Sequence, residues 1–138
     1  MIKLLDILNE EEPKNILIPR RIEGRAERFK IITQRKIQEY IKNGCVGDLN
    51  LANTPIESLP DNLIKVGGIL WLGRSKIKTL NNLEFVKDHL DLQDATIESL
   101  GNLKSVGGNL WLINTPISRK YTIEQIKQMV DVKFFIYI

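Results

Sequence analysis

Gly68–Ser75 reads GILWLGRS and Gly108–Thr115 reads GNLWLINT, and two further segments of the chain follow the same pattern. Gly47–Thr54 reads GDLNLANT, and Asp88–Ala95 reads DHLDLQDA. A fixed period of this kind predicts a solenoid, in which each segment forms one strand of a stacked turn. Successive segments start 21, 20 and 20 residues apart, measured at the first leucine of each pair: Leu49, Leu70, Leu90 and Leu110.

The same period continues through the residues that follow each strand. Because strand residues alternate between two faces, each leucine pair is predicted to point inward, and the stacked turns share one core. Apolar side chains recur beneath these pairs in four columns: Ile56, Ile77, Ile97 and Ile117; Leu59, Leu80 and Leu100; Leu63, Leu83 and Leu103; Val66, Val86 and Val106.

Over roughly residues 46–118 the chain resembles leucine-rich repeat proteins, with the pattern L-x-L-x-x-(T/S)-x-I-x-x-L. The segment Leu59–Leu63, which reads LPDNL, and two Val-Gly-Gly segments are most similar to small repeat proteins of bacteria and their tailed phages. The resemblance implies an α/β fold, a short right-handed solenoid with parallel strands on its concave face. Hydroxyl residues stand where the family usually has asparagine, and we expect them to bond the neighbouring turn's backbone: Thr54, Ser75, Thr96 and Thr115.

Both ends depart from the repeat and are predicted to cap it within one compact domain. Residues 1–45 are predicted to form a mainly helical N-terminal cap, and residues 46–120 the four repeats. Cys45, at the junction, is expected to be a small buried apolar residue. The cap's main helix, ending near Asn43, is predicted to have an apolar side made of Ile22, Ala26, Phe29, Thr33, Ile37 and Tyr40.

Residues 121–138 are predicted to form a C-terminal cap of one helix and one final strand. Thr122 and the residues after it resemble a capping box that opens the helix. The strand is predicted to turn Ile136 and Ile138 inward as a fifth rung. The apolar side of the helix is predicted to be Ile123, Ile126, Met129 and Val130.

Composition bounds the function. Lys and Arg number 20 against 17 Asp and Glu, a net charge of +3, well short of a chain that coats nucleic acid. A single cysteine excludes an internal disulfide framework, and a single histidine excludes a multi-histidine metal site. We therefore expect a cytoplasmic protein, in the host cytoplasm if phage-encoded, with no cofactor, no metal, no membrane partner and no small-molecule substrate.

The helix around residues 20–42 carries eight basic and three acidic residues. This excess offers a face for nucleic acid or an acidic protein, although no interleaved aromatic residues support base stacking. A solvated helix surface is the simpler interpretation. The face comprises Arg20, Arg21, Arg25, Arg28, Arg35 and Lys36.

Residues between and beside the inward leucines are predicted to point outward from the sheet. Both tryptophans of the chain fall in one outward column, and Trp and Tyr often dominate interface energies. The face is therefore predicted to bind a partner protein, with a homodimer interface or cover by the N-terminal helix as alternatives. The candidate residues are Asn50, Ile69, Trp71, His89, Asp91, Gln93, Asn109, Trp111, Ile113, Phe135 and Tyr137.

Catalysis finds little support in the sequence. His89 and Asp91 lie two residues apart on one strand face, roughly 7 Å, too far for a direct orienting bond. Cys45 and His89 fall on different turns, which disfavours a thiol dyad. The sequence predicts a non-enzymatic protein-interaction module, such as an inhibitor or adaptor. Nucleic-acid binding through the basic helix and self-assembly into a structural protein are the alternatives.

Overall fold

Two parallel β-sheets run along the stack in the computed structural model, which describes residues 24–138. The larger sheet has five strands: β1 (Leu49–Asn50), β3 (Leu70–Trp71), β5 (Leu90–Asp91), β7 (Leu110–Trp111) and β9 (Ile136–Tyr137). The smaller has four: β2 (Lys65–Val66), β4 (Phe85–Val86), β6 (Ser105–Val106) and β8 (Asp131–Val132). Each strand pairs in parallel with the strand one turn further on, so the chain is a parallel-strand β-solenoid.

The smaller sheet is a finding that the sequence analysis did not anticipate. Its strands end at the valine column, and each places one residue outward and one valine inward, as at Phe85 and Val86. A third line of pairing, of single bridges, joins Ser58 to Thr79 and Thr79 to Ser99. The segment between successive large-sheet strands is therefore bonded to its neighbours along much of its length.

The apolar columns fill the interior as predicted. The leucine pairs of the first four strands are at most 2% exposed, and the isoleucine column from Ile56 to Ile117 is equally buried. The remaining leucine and valine columns are also buried. At roughly 1.5–3 kcal/mol for each fully buried side chain, this shared core is the main source of stability.

Three of the four hydroxyl residues after the strands do not bond the neighbouring turn, which corrects the expectation for Thr54, Ser75 and Thr115. Thr54, Ser75 and Thr115 each donate to a carbonyl three residues earlier in their own turn, at 2.7 Å. In the third turn the equivalent position is Ala95, not Thr96. Thr96 lies one residue later and donates to the carbonyl of Ile77 in the preceding turn, which confirms the expected bond between turns for this residue. The hydroxyls of Thr54, Ser75 and Thr115 therefore close their own turns, and that of Thr96 joins two turns.

Helix α1 (Arg25–Lys42) lies against the first turn. Thr33 and Ile37 are buried and Tyr40 is half-buried, as the helical spacing predicts. Phe29 is 43% exposed, which corrects its assignment to the apolar side, since it lies two helical turns before the point where Ile37 meets the core. Cys45 is half-buried with a φ of 57°, and not fully buried as expected. Ile22 and the rest of residues 1–23 lie outside the described residues.

The Tyr40 hydroxyl joins α1 to the first turns of the stack. It donates to the carbonyl of Gly47 at 2.7 Å and accepts from the N–H of Gly67 at 3.0 Å. Burial raises the pKa of Tyr40, the Gly67 hydrogen bond opposes that shift, and the nearby Cys45 and Asp48 add to it. The protonated phenol is therefore the form that the fold prefers.

Tyr40→Phe is expected to lower the free energy of unfolding by about 1 kcal/mol at neutral pH, the usual contribution of such bonds. Because the pKa is raised on folding, the wild type should lose stability as the pH rises above about 10, and the two proteins should converge there. Urea denaturation at pH 7 and at alkaline pH measures both effects. Tyr121→Phe is the control, since the Tyr121 hydroxyl makes no hydrogen bond within residues 24–138. Equal losses in the two variants would contradict this role.

Glycine pairs occupy alternate corners between the two sheets. A Cβ on Gly67 would lie 2.5 Å from the carbonyl oxygen of Cys45, and one on Gly107 would meet the carbonyl of Lys87. The equivalent corner holds Lys87 and Asp88 in the turn between the two glycine pairs. It holds Lys133 and Phe134 in the turn after the second pair. The glycine-bearing turns therefore pack directly on the backbone of the turn before them, and these glycines serve close packing.

The C-terminal cap contains the predicted helix and strand and one further helix. The short helix α2 (Pro116–Lys120) has Thr115 as its N-cap. Helix α3 (Ile123–Met129) has Thr122 as its N-cap, which forms the predicted capping box with Gln125. Ile126 and Val130 are buried and Ile123 is half-buried, but Met129 is exposed. Ile136 is buried on β9 as predicted.

Two details of that cap are corrections. Ile138 is 44% exposed, not inward, because it follows β9, which is an edge strand of the large sheet within residues 24–138. Met129 stands at the end of α3, one residue before the buried Val130, and points away from the core.

Candidate functional site

The pairing register places the outward residues of the large sheet in one central column. Asn50 pairs with Trp71, Trp71 with Asp91, Asp91 with Trp111, and Trp111 with Tyr137. Columns on either side run through His89 and through Gln93. We call this surface the aromatic face; all eleven sequence-predicted residues lie on it: Asn50, Ile69, Trp71, His89, Asp91, Gln93, Asn109, Trp111, Ile113, Phe135 and Tyr137.

Three rings form a packed cluster at the C-terminal half of this face. Trp111 and Tyr137 are stacked, with centroids 5.4 Å apart and planes 12° from parallel. His89 meets Trp111 edge-on at 5.3 Å. Trp71 and Trp111 are both half-buried, and Tyr137 and Phe135 are exposed. The rings are thus held in place by neighbours while keeping open surface.

Polar residues before three of the five large-sheet strands bond the backbone of the next turn, so these side chains are partly committed to the fold. Asp48 accepts from the Ile69 N–H at 2.8 Å, and His89 Nδ1 accepts from the Asn109 N–H at 2.9 Å. Asn109 in turn accepts from the Phe135 N–H at 3.0 Å. The His89 bond requires an unprotonated Nδ1, which leaves Nε2 to carry the proton, 3.5 Å from Asp88 Oδ1. His89 and Asn109 therefore position the face as well as lining it.

A pocket of about 270 Å³ opens at the centre of the aromatic face. Asp91 lies between the two tryptophans, and its Oδ1 accepts from the Gln93 N–H at 3.0 Å. Asn50 makes the same bond to the Ala52 N–H two strands away, also at 3.0 Å. The pocket is lined by Ile69, Trp71, His89, Asp91, Gln93 and Trp111.

Helix α1 does not line this pocket. It reaches the large sheet at the β1 edge, where Lys36 Nζ donates to the Asn50 carbonyl at 2.7 Å. Its other polar contacts are the Tyr40 bonds and a Gln38–Asn62 pair. Helix α1 therefore caps the first turn and does not cover the pocket of the aromatic face, which was one of the alternatives for that face.

The predicted basic face is only partly within the described residues. Arg25, Arg28 and Arg35 are exposed on α1, while Lys36 is engaged with β1. Phe29 and Ile32 are exposed on the same helix. Arg20 and Arg21 lie outside the described residues. Nucleic-acid binding by this helix stays a prediction.

A larger groove, of about 680 Å³, follows the outer side of the small sheet and was missed by sequence reasoning. Lys65, Phe85, Ser105 and Asp131 are the outward residues of its four strands, and Val46 beside it is 76% exposed. The available signal was the valine column, since each valine is preceded by a residue that a strand must turn outward.

Among the side chains of residues 24–138, no cluster of three or more His, Cys, Asp or Glu could hold a metal ion. No helix in that range is long and apolar enough to cross a membrane. The chain matches no protein-family model, no curated protein and no solved structure. What the fold defines is a parallel-strand β-solenoid with a helix-capped first turn and an aromatic sheet face.

Proposed function

We propose that the chain is a non-enzymatic protein-recognition module that binds a partner protein through the aromatic face. The observation that carries this proposal is the position of both tryptophans of the chain, with Tyr137, in a single outward column of a rigid sheet. Soluble domains usually bury such rings, and aromatic residues commonly carry interface energy.

The packing of the face supports the proposal. The leucines on each side of Trp71 and Trp111 are fully buried, so the strands that present the rings are anchored in the core. Stacking against Tyr137 and the edge contact with His89 restrict Trp111 before any partner arrives. A pre-ordered surface loses less conformational entropy on binding.

We assign the solenoid to the right-handed leucine-rich-repeat type, on the strength of the repeat pattern and its period of about 20 residues. In that type of protein the strand-bearing face is the usual ligand surface, which agrees with the placement of the tryptophans. An inhibitor or adaptor suits a module of this size.

Replacing Trp71 and Trp111 together by alanine is expected to preserve the fold and weaken partner binding about thirty-fold or more, roughly 2 kcal/mol. The buried leucine columns stay packed, so circular dichroism and most of the melting temperature should be retained. Binding is measured with the partner obtained by affinity capture on the wild-type protein and then purified.

Phe85→Ala is the matched control, because it removes a ring that is 44% exposed on the small sheet. It should keep partner affinity. A folded double variant with unchanged affinity would show that the aromatic face is not the binding surface. Analytical ultracentrifugation of the wild type and double variant identifies a second copy as the partner if only the wild type dimerises.

A further inference from the structure

Asp91 is a half-buried carboxylate placed between two indole rings. Its neighbours across the sheet are Trp71 on one side and Trp111 on the other. Within residues 24–138, Asp91 forms no ion pair, whereas Asp94 pairs with Arg74. A charge that is partly removed from water and lacks an opposite charge favours a ligand that supplies one.

The whole aromatic face has this charge bias. Its outward positions include Asp48 and Asp91 and no lysine or arginine, although the chain carries a net charge of +3. Lys36 reaches the sheet only at the β1 edge, two strands from Asp91. The surface is therefore complementary to a cationic group.

We infer that the pocket between Trp71 and Trp111 binds the guanidinium group of an arginine on the partner protein. This inference rests on the proposed function of the aromatic face. Adjacent strands lie about 4.8 Å apart, so the two tryptophans are about 10 Å apart at the backbone. At this strand spacing, a cation above the middle strand would have one indole-bearing strand about 5 Å away on each side, a spacing compatible with the roughly 6 Å reach of a cation–π contact. Tyr137 stacks on Trp111 from one neighbouring strand, and Asp91 lies on the neighbouring strand at the other side.

Arginine fits this pocket better than lysine does. Its guanidinium is planar and weakly hydrated, and it stacks on aromatic rings while donating hydrogen bonds in its plane. Asp91 Oδ1 is already bonded to the Gln93 N–H, so Oδ2 is the acceptor that remains for a ligand. The Gln93 side chain, which also lines the pocket, offers a second acceptor.

The test uses the intrinsic fluorescence of the full-length protein, because both of its tryptophans line the pocket. Three short capped peptides serve as probes, identical except for a central arginine, lysine or citrulline. The arginine peptide should give a saturable change, and the neutral citrulline peptide should bind about tenfold more weakly or worse. Equal binding of arginine and citrulline, or no binding of any peptide, overturns the inference. A lysine peptide that binds as tightly as arginine overturns the assignment to arginine.

Asp91→Asn removes the charge and keeps the shape. Asn50 already makes the equivalent bond to its own turn, so asparagine is accommodated at this strand position. The variant should bind the arginine peptide about tenfold more weakly, at the level of citrulline. Asp48→Asn is the control on the same face and should bind like the wild type. Wild-type affinity in Asp91→Asn overturns the inference.

The two experiments distinguish a wrong arginine assignment from a wrong proposed function. If the peptides fail while the tryptophan double variant loses the purified partner, the face still binds protein and only the arginine assignment falls. If the double variant keeps its partner, the proposed function itself is wrong.

Discussion

Deleting residues 132–138 is expected to yield a protein that is insoluble or melts far below the full-length chain. These residues include β9, which covers Leu110 and Leu112, and the buried Ile136. The deletion also removes the carbonyls of Phe135 and Tyr137, which accept from the N–H groups of those two leucines at 2.8 and 2.7 Å. Several apolar side chains would lose cover at roughly 1.5–3 kcal/mol each, against a total stability of about 5–15 kcal/mol.

Soluble yield and the melting temperature by circular dichroism measure this effect. Phe134→Ser is the control, since Phe134 is 57% exposed and its backbone N–H bond to the Gly108 carbonyl is unaffected by the side chain. That variant should melt close to the wild type. A truncated protein with wild-type melting would show that the last strand contributes nothing to the stack.

Gly107→Ala is expected to lower the free energy of unfolding by about 4 kcal/mol, at the upper end for one substitution. The added Cβ would meet the carbonyl group of Lys87, with the carbonyl carbon 2.9 Å away. That obstacle is backbone and cannot rotate aside. The Gly107 N–H also donates to the Val86 carbonyl at 2.9 Å, so relief of the clash would break a bond between turns.

Gly73→Ala is the matched comparison for the Gly107 variant. Gly73 also has an ordinary φ, but it lies on the aromatic face and its Cβ would be 3.2 Å from the Gln93 carbonyl oxygen. We expect a cost below about 1 kcal/mol there. Denaturant unfolding of both variants gives the comparison. A Gly107 variant no less stable than the Gly73 variant would contradict the close packing of these turns.

The sequence was informative where a side chain's environment depends on periodicity alone. The leucine, isoleucine and valine columns are buried because any solenoid with this period must turn them inward. The aromatic face followed from the same alternation, since the residue between two inward leucines has to point outward. The capping box at Thr122 could also be predicted from the sequence, because its hydrogen bonds join residues only three positions apart.

The sequence does not predict which of several nearby hydrogen-bond partners a side chain will choose. Thr54 could bond its own turn or the next, and only the geometry selects its own. The third turn has Ala95 at that position, and the hydroxyl of Thr96, one residue later, reaches the Ile77 carbonyl of the preceding turn. The acceptor roles of His89 and Asn109 depend on the offset between turns, which the residue types do not encode.

The strands of the small sheet were similarly hidden. Stretches such as Lys65–Val66 and Phe85–Val86 have a single inward residue, so they lack the paired leucines around an outward residue that mark the large sheet. The groove of the small sheet could be located only once the turns were stacked. The exposed Ile138 and Met129 show the same limit, since burial at the end of a stack depends on what packs next to it.

The alternation of glycine corners sets the step by which such a solenoid can lengthen. Gly67-Gly68 and Gly107-Gly108 precede the strands that carry Trp71 and Trp111, and the turn between them carries bulky corners and Asp91. The true building block is therefore a pair of dissimilar turns. Duplicating one turn would set two like corners, and two like face residues, side by side. Duplicating a pair would preserve the packing and add another indole–carboxylate–indole arrangement, so the aromatic face would lengthen by one whole pocket at a time.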